Sequence, residues 1–371
     1  MINVLSLVPY NFLPPKMGGQ KGIAFFNDFF SKTVSLTCVS VKSNDISAFN
    51  NYEVLPLLSN SKLRYINPFY FFTLKRVIQK KRITHLVIEH PYYAWLGFLL
   101  KKLCKVKLIV HSHNIESERF KSIGKWWWKL LWYYEKFAYR QADHVFFVTD
   151  EDRGFAVAKF NIAALKCHTI TYGIEIDKIP AAEERLAAKK QLQQLHHINS
   201  NEKILLFNGT LNYKPNLNGV DTILKYINPL LFADTFFKYK IIICGKGLPG
   251  DYNELRDFAQ QNIIYAGFVD DINIYFKGAD IFINPVTDGG GIKTKLVEAL
   301  GSNLSAVSTT NGALGVPVTC TGNKMLVTTD GAWQDFAKAI TAIDTTADTP
   351  PIFFERFYWA NVAAKAQSVI A

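Results

Sequence analysis

Three glycines, two lysines and a glutamate fall within one short stretch, Asp288-Gly289-Gly290-Gly291-Ile292-Lys293-Thr294-Lys295-Leu296-Val297-Glu298. Glycines just ahead of a helix leave its first backbone N–H groups unshielded, and with the helix dipole these groups make an anion site. Lys293 and Lys295 add positive charge at the same end, and Glu298, further along the helix, can accept hydrogen bonds from sugar hydroxyls. Phosphates at the glycines and a ribose at the glutamate describe a nucleoside diphosphate. A glycine-rich turn can also be only a tight connection. The lysines and the glutamate are what favour the phosphate reading.

A strand and a helix must hold this loop. The apolar run at 281–284 predicts a buried parallel strand ended by Pro285, and a helix is expected from about 292 to 300, followed by a strand at 304–308. Similar alternation of apolar runs and helical patterns extends through the chain and argues for an α/β protein with parallel sheets. A first strand at 2–8 leads into a loop carrying Lys16, Gly18, Gly19 and Lys21, with a helix beginning near Ala24. The glycine pair suits close approach of a ligand to backbone. Further strands are expected at 33–41, 52–58, 86–88, 107–111, 145–149, 204–207, 241–244 and 263–268. The strand at 107–111 delivers His111, His113 and Glu116 to its carboxyl edge, where a histidine can work over a cleft or merely cap a loop. The aromatic and basic run at 125–140 is apolar almost all round a helix, and its Trp and Lys residues allow an interfacial helix. Adjacent His196 and His197 share no helix face and read as solvated.

At 371 residues the chain has room for two domains, each with its own core. The formal charge of +11 lies wholly in the first half: residues 1–177 hold 24 basic and 13 acidic side chains, and the remainder holds 18 of each. Two readings stay open, a merely soluble basic surface or one that meets anionic lipid or a phosphate-bearing acceptor. Five scattered cysteines form no CxxC pair and read as free thiols of a reducing compartment. The first residues lack a basic lead, and no apolar run is long enough to span a bilayer, so a cytoplasmic protein, soluble or peripheral on the inner membrane face, is expected. Ligand spacing along the chain suggests no metal site, and no G-x-G-x-x-G follows a strand.

The run Gly289-Gly290-Gly291-Ile292-Lys293-Thr294-Lys295-Leu296-Val297-Glu298-Ala299-Leu300, with the small-residue turn and strand after it, resembles the donor site of GT-B glycosyltransferases, in particular the retaining family 4. The form with three glycines and two lysines is similar to one subgroup. Of the family's two donor-site glutamates, Glu298 matches the second, while Gly290 stands where the first would be. The resemblance implies two Rossmann-like parallel-sheet domains facing across a cleft: an acceptor-binding domain at 1–177, a donor-binding domain at 178–352, and a C-terminal helix at 353–371 crossing back onto the first. It implies transfer of a hexose from a nucleotide sugar to a glycan or lipid-linked acceptor, with retention and without cofactor or metal. Stabilising the departing diphosphate by backbone N–H groups and lysines is then the main task. The donor-binding set would be Gly18, Gly19, Gly209, Thr210, Lys214, Gly245, Asp288, Gly289, Gly290, Gly291, Ile292, Lys293, Lys295 and Glu298, with His113 and Glu116 catalytic and domain closure bringing His113 and Gly19 over the donor. For the helix at 125–140 the resemblance implies packing within its domain. The segment 172–177 resembles the family's junction, and Thr210 and Pro215 replace an arginine and a lysine common there. The rivals are a GT-B nucleotide-sugar epimerase and a non-catalytic nucleotide-sugar-binding subunit. Nucleic acid is not an expected partner.

Overall fold

A computed structural model describes residues 2–48 and 51–371 of the chain. Two compact units emerge: residues 1–175 with 290–292 and 356–371, and residues 176–289 with 293–355.

The first unit is built on strands β1 (Asn3–Leu7), β2 (Ser35–Val41), β3 (Glu53–Leu58), β4 (His85–Glu89), β5 (Lys107–Ser112), β6 (His144–Phe147) and β7 (Cys167–Thr169). They pair in the order β3-β2-β1-β4-β5-β6-β7, every pair parallel. Helices on both faces bury the sheet, so strands such as β1 and β5 are buried almost throughout. Strand order reverses between β1 and β4, which opens a crevice beyond their carboxyl ends.

The helix after β1 runs from Gly18 to Ser31, so Gly18 and Gly19 form its first turn rather than a loop. The early start has a local cause. The Gln20 side-chain oxygen accepts from the backbone N–H groups of Lys16 and Met17 at 2.9 and 3.1 Å, fixing the entry. Ile23, Phe26, Asn27 and Phe30, at helical spacing, then face the core.

The helix Trp128–Gln141 packs within its domain on one side, where Trp132, Tyr134 and Phe137 lie against the core. Glu135, Ala138 and Tyr139 are its buried residues, while Leu130 and Tyr133, with Trp126 just ahead, are 67%, 68% and 83% exposed. Its apolar ring is therefore divided between protein and solvent. The expected helix at 353–371 is two helices, Pro351–Phe357 and Trp359–Ile370. They break because Tyr358 is extended and bridges to Ile174, whose N–H donates to Phe357 and whose carbonyl accepts from Trp359. Buried Trp359 packs edge-on against Tyr172 and covers Gly173.

The second unit repeats the plan with β8 (Lys203–Asn208), β9 (Tyr239–Cys244), β10 (Ile263–Gly267), β11 (Ile281–Asn284), β12 (Ser305–Thr309) and β13 (Met325–Thr328). The order is β10-β9-β8-β11-β12-β13, all parallel, with the reversal between β8 and β11. Its core gathers the inner faces of these strands, including Leu205, Ile241, Ile283 and Val307. His196 sits half-buried with Nε2 3.0 Å from the Tyr275 hydroxyl, so it is a packed residue rather than a solvated one.

At Gly173 an added Cβ would fall 2.4 Å from the Trp359 ring. Gly173→Ala should therefore lower the stability of the first unit by about 1–3 kcal/mol through overpacking. Urea unfolding monitored by tryptophan fluorescence tests this, and an unchanged midpoint would contradict it.

Candidate functional site

The second unit's switch point draws its glycines together. Gly209 follows β8, its N–H donates to the Cys244 carbonyl at 2.9 Å, and Gly245 follows β9. Gly245 has φ +146°, and a Cβ there would lie 1.8 Å from the Gly209 carbonyl oxygen, so only glycine fits. A Cβ on Gly209 would meet the Lys295 Nζ at 2.7 Å. The lysine thus reaches from the first turn of the helix Thr294–Gly301 to the backbone after β8. The residue is half-buried. Desolvation pushes its pKa down to about 8, with Glu298 opposing.

The loop between β11 and this helix is held at several points. Gly289 and Gly291 have φ +86° and +71°. The Lys293 ammonium donates to the Gly289 carbonyl at 2.9 Å, and the Asn218 amide donates to Asp288 at 3.0 Å. Buried Asn284 ties the ends of β11 and β12 by donating to Ser308 Oγ and the Gly312 carbonyl at 3.0 and 2.9 Å. The helix starts at Thr294, two residues later than expected, without a side-chain cap at Lys293; the Leu296 N–H donates to the Lys293 carbonyl at 2.9 Å, and the N–H groups of Thr294 and Lys295 come before it at the positive end of the helix. Glu298 follows in the second turn, half-buried. Gly290 and Ile292 complete the loop. Thr210 lies beside Gly209, its carbonyl accepting from Asn216 at 2.9 Å. Lys214 opens the helix Lys214–Thr222 with its side chain exposed. The unit therefore concentrates backbone donors and two lysines at one sheet edge, a cradle suited to a diphosphate.

The first unit collects different chemistry at its own switch point. The β4–β5 register sets Glu89 opposite His111, and β5 continues into His113. Glu89, fully buried, accepts from His111 Nδ1 at 3.1 Å and from His113 Nε2 at 2.6 Å. Burial alone would raise the Glu89 carboxyl, but the two imidazoles outweigh it and hold it well below the usual carboxylate range. Desolvation and the neighbouring His111 and His90 rings bring His113 down to about 4, so at neutral pH it is an uncharged ring donating to an ionised carboxylate. The donor atoms of Glu89, His111 and His113 lie within 4.8 Å of one another, a set that could hold a divalent transition ion. Spacing along the chain could not reveal that group.

Glu116 is equally buried. His90 Nδ1 at 3.1 Å and Arg119 Nη1 at 2.7 Å donate to it, and they overcome the burial penalty to bring its pKa to about 2. Its own N–H, with that of Ser117, donates to the Glu135 carboxylate at 2.7 and 2.8 Å, capping the helix Glu116–Ser122. His90 has φ +64°, which is rare outside glycine, and stacks between His113 and Tyr92 with centroids 4.6 and 5.4 Å away. The Tyr10 hydroxyl donates to His90 Nε2 at 2.9 Å. Sequence reasoning missed Glu89, His90, Tyr10 and Arg119. The usable signal was that Glu89-His90 leaves β4 as His111-Ser112-His113 leaves β5. Exposed Gly19 lines a cavity of about 620 Å³ with His90 and Arg119, and Gly18 precedes it.

Residues 37–178 match the family model for glycosyltransferase family 4, and residues 202–344 match that for glycosyl transferases group 1. The chain belongs to the GT-B glycosyltransferases. An uncharacterised 44.6 kDa protein in the cps region of Klebsiella pneumoniae is 25% identical over 296 residues, 76% of this chain and 70% of the relative. An uncharacterised glycosyltransferase of Methanocaldococcus jannaschii is 29% identical over 223 residues, 55% of this chain and 51% of its own. Among solved structures, sucrose-phosphate synthase from Thermosynechococcus elongatus superposes with TM-score 0.75 at 14% identity, covering 99% of this chain and 98% of that one. The Anabaena protein HepE in complex with UDP gives 0.72 at 15% identity, covering 100% and 99%. These structural likenesses establish the GT-B fold.

In this GT-B chain, Glu89→Ala should cost about 3–5 kcal/mol, because two buried imidazoles lose their common acceptor. Glu89→Gln should cost less, since an amide oxygen still accepts one N–H. Equal midpoints for both variants in chemical unfolding would show that the carboxylate is not what joins the two strand ends.

Proposed function

We propose that this glycosyltransferase moves a hexose from a nucleoside diphosphate sugar to a glycan or lipid-linked acceptor, with retention of anomeric configuration and without a metal ion. One observation carries the reading: the Lys295 ammonium is drawn beside Gly209, desolvated, with Glu298 as its counter-charge among the described residues. A diphosphate supplies the missing negative charge, and the uncapped helix start supplies N–H donors. As the donor bond breaks, charge grows on the leaving diphosphate, and the same groups stabilise it without rearranging. Glu298 receives the ribose hydroxyls. Gly18, Gly19, Gly209, Thr210, Lys214, Gly245 and Asp288 to Ile292 shape the donor's surroundings, while His113 and Glu116 serve the reacting sugar, Glu116 through His90. The Anabaena HepE structure holds UDP, which makes a uridine nucleotide the first donor to test. No described helix is long and apolar enough to cross a membrane, and the basic first unit supports peripheral contact with an anionic membrane.

Calorimetry with UDP, GDP, ADP and CDP tests the donor half. One should bind at micromolar strength, and Glu298→Ala should weaken it about tenfold, the loss of a hydrogen-bonded hydroxyl pair. The pH dependence follows from Lys295, whose pKa in the free protein is about 8. A bound diphosphate raises that pKa, so binding takes up a proton near pH 8. Affinity is full below that value and falls as pH rises through it, by at most about tenfold per unit. Binding enthalpies that do not vary with buffer ionisation enthalpy would remove Lys295 from the site.

The reaction itself is tested with the sugar nucleotide that binds. Product anomeric configuration by NMR reports retention. Exhaustive chelation should leave the transfer rate unchanged; a loss reversed by a divalent ion would overturn metal independence and direct attention to Glu89, His111 and His113.

A further inference from the structure

The cavity of the first unit has a wall unlike a sugar-binding surface. Six aromatic side chains line it: Tyr10, Tyr65, Tyr92, Phe120, Trp127 and Tyr134. Three of the tyrosine hydroxyls are turned to the protein. That of Tyr10 donates to His90, that of Tyr134 to the Tyr92 carbonyl at 3.1 Å, and that of Tyr65 to the Pro9 carbonyl at 3.4 Å. The Asn11 and Gln20 amides, also at the wall, donate to the carbonyls of Ser43 and Asn11, each at 3.1 Å. What faces the space is mainly carbon. A hydroxyl-rich ring would lose water there with few partners, at roughly 1–3 kcal/mol for each unmatched polar group. A hydrocarbon chain would be matched to aromatic faces.

Charge and continuity define the rest of the occupant. Arg119 brings a cation to the wall, its side chain 37% exposed and its Nη1 anchored on Glu116. Leu131 and Tyr134 line the cavity from the helix Trp128–Gln141, and on that helix Leu130 and Tyr133 are exposed, as is Trp126 just before it. Lys121 and Lys129 place their ammonium groups 4.9 and 5.7 Å from the Trp128 ring. Tryptophan, tyrosine and lysine grouped on an exposed face make a surface suited to the headgroup level of an anionic bilayer. The cavity is the inner side of that surface.

We propose that the cavity binds an anionic amphiphile, its hydrocarbon chain along the aromatic wall and its phosphate at Arg119, and that this is the acceptor class. The proposal rests on the transferase reading and narrows its acceptor from glycan or lipid to a lipid phosphate. A volume of about 620 Å³ holds a chain segment and a headgroup, within the usual range for ligand sites.

Tryptophan fluorescence and calorimetry on the full chain provide the test, with three probes held below micelle-forming concentrations. Dodecyl phosphate carries chain and charge, dodecyl maltoside carries chain and sugar, and glucose 1-phosphate carries sugar and charge. Dodecyl phosphate should bind at least tenfold more tightly than either of the others. Arg119→Gln should close the gap between the two dodecyl probes, and Arg119→Lys should keep most of it. Trp127→Ala and Leu131→Gln should each weaken both dodecyl probes about tenfold while UDP binding is unchanged. Glucose 1-phosphate or dodecyl maltoside binding as tightly as dodecyl phosphate, or no probe binding at all, would overturn the proposal using the wild-type protein alone. The UDP arm separates the two readings: lipid phosphate bound without any nucleotide sinks the donor assignment and the acceptor role while leaving the amphiphile site standing, and nucleotide bound without lipid phosphate sinks the site and leaves the donor assignment.

Discussion

A parallel sheet wound in both directions from its middle cannot cover the place where the winding reverses. Each crossover leaves the carboxyl ends of two neighbouring strands on opposite sides, and the gap above them is where backbone and side chains can meet a ligand. The chain uses this constraint twice, at β1/β4 and at β8/β11. In the second unit the gap is lined with glycine and lysine. Gly245 approaches the Gly209 carbonyl so closely that it tolerates no side chain, and the bare Cα of Gly209 is what lets the Lys295 ammonium lie against backbone. In the first unit the corresponding gap is lined with imidazole, carboxylate and aromatic rings.

The two gaps handle buried charge in opposite ways. Glu89 and Glu116 are fully buried, and each is met by two nitrogen-bearing side chains, so their ionised forms are secured within the protein. Lys295 has less compensation: desolvation lowers its pKa to about 8, so it is still mainly charged at neutral pH but more easily neutralised than an ordinary lysine. The first arrangement gives rigid positioning of His113 and His90. The second leaves a preference for an incoming anion. A transferase needs both, because a fixed reacting geometry is useless unless the diphosphate is also drawn in and stabilised as it leaves.

Much of this architecture was legible in the residues. Strands such as β1, β9 and β11 are short apolar runs closed by turn residues, and the glycine loop with its two lysines sits after one of them. The pairing of Glu89 with His111 was not legible, because it depends on which strands are neighbours and in what register, and a histidine at one strand end carries no mark of the carboxylate on the next. The helix start at Gly18 was hidden because its apolar stripe begins only at Ile23, while Gln20 determines the entry through side-chain bonds. The break at Tyr358 has no proline or glycine to announce it; a bridge to Ile174, far away in sequence, imposes it. At 125–140 periodicity could not say which apolar positions would find protein, since a ring of large side chains is compatible with either core or surface. The exposed ones became informative only beside the cavity.

The bridge at Ile174 and the packing of Trp359 over Gly173 also mean that the first unit is discontinuous along the chain. A ribosome releases residues in order, so the seven strands of that unit are all available long before the segment 356–371 that finishes it. Until then Tyr172 and Gly173 lack their indole cover, and the surface they form is left to water or to chaperones. The second unit, whose strands are made later, is thus synthesised in full before the last segment of the first unit is made.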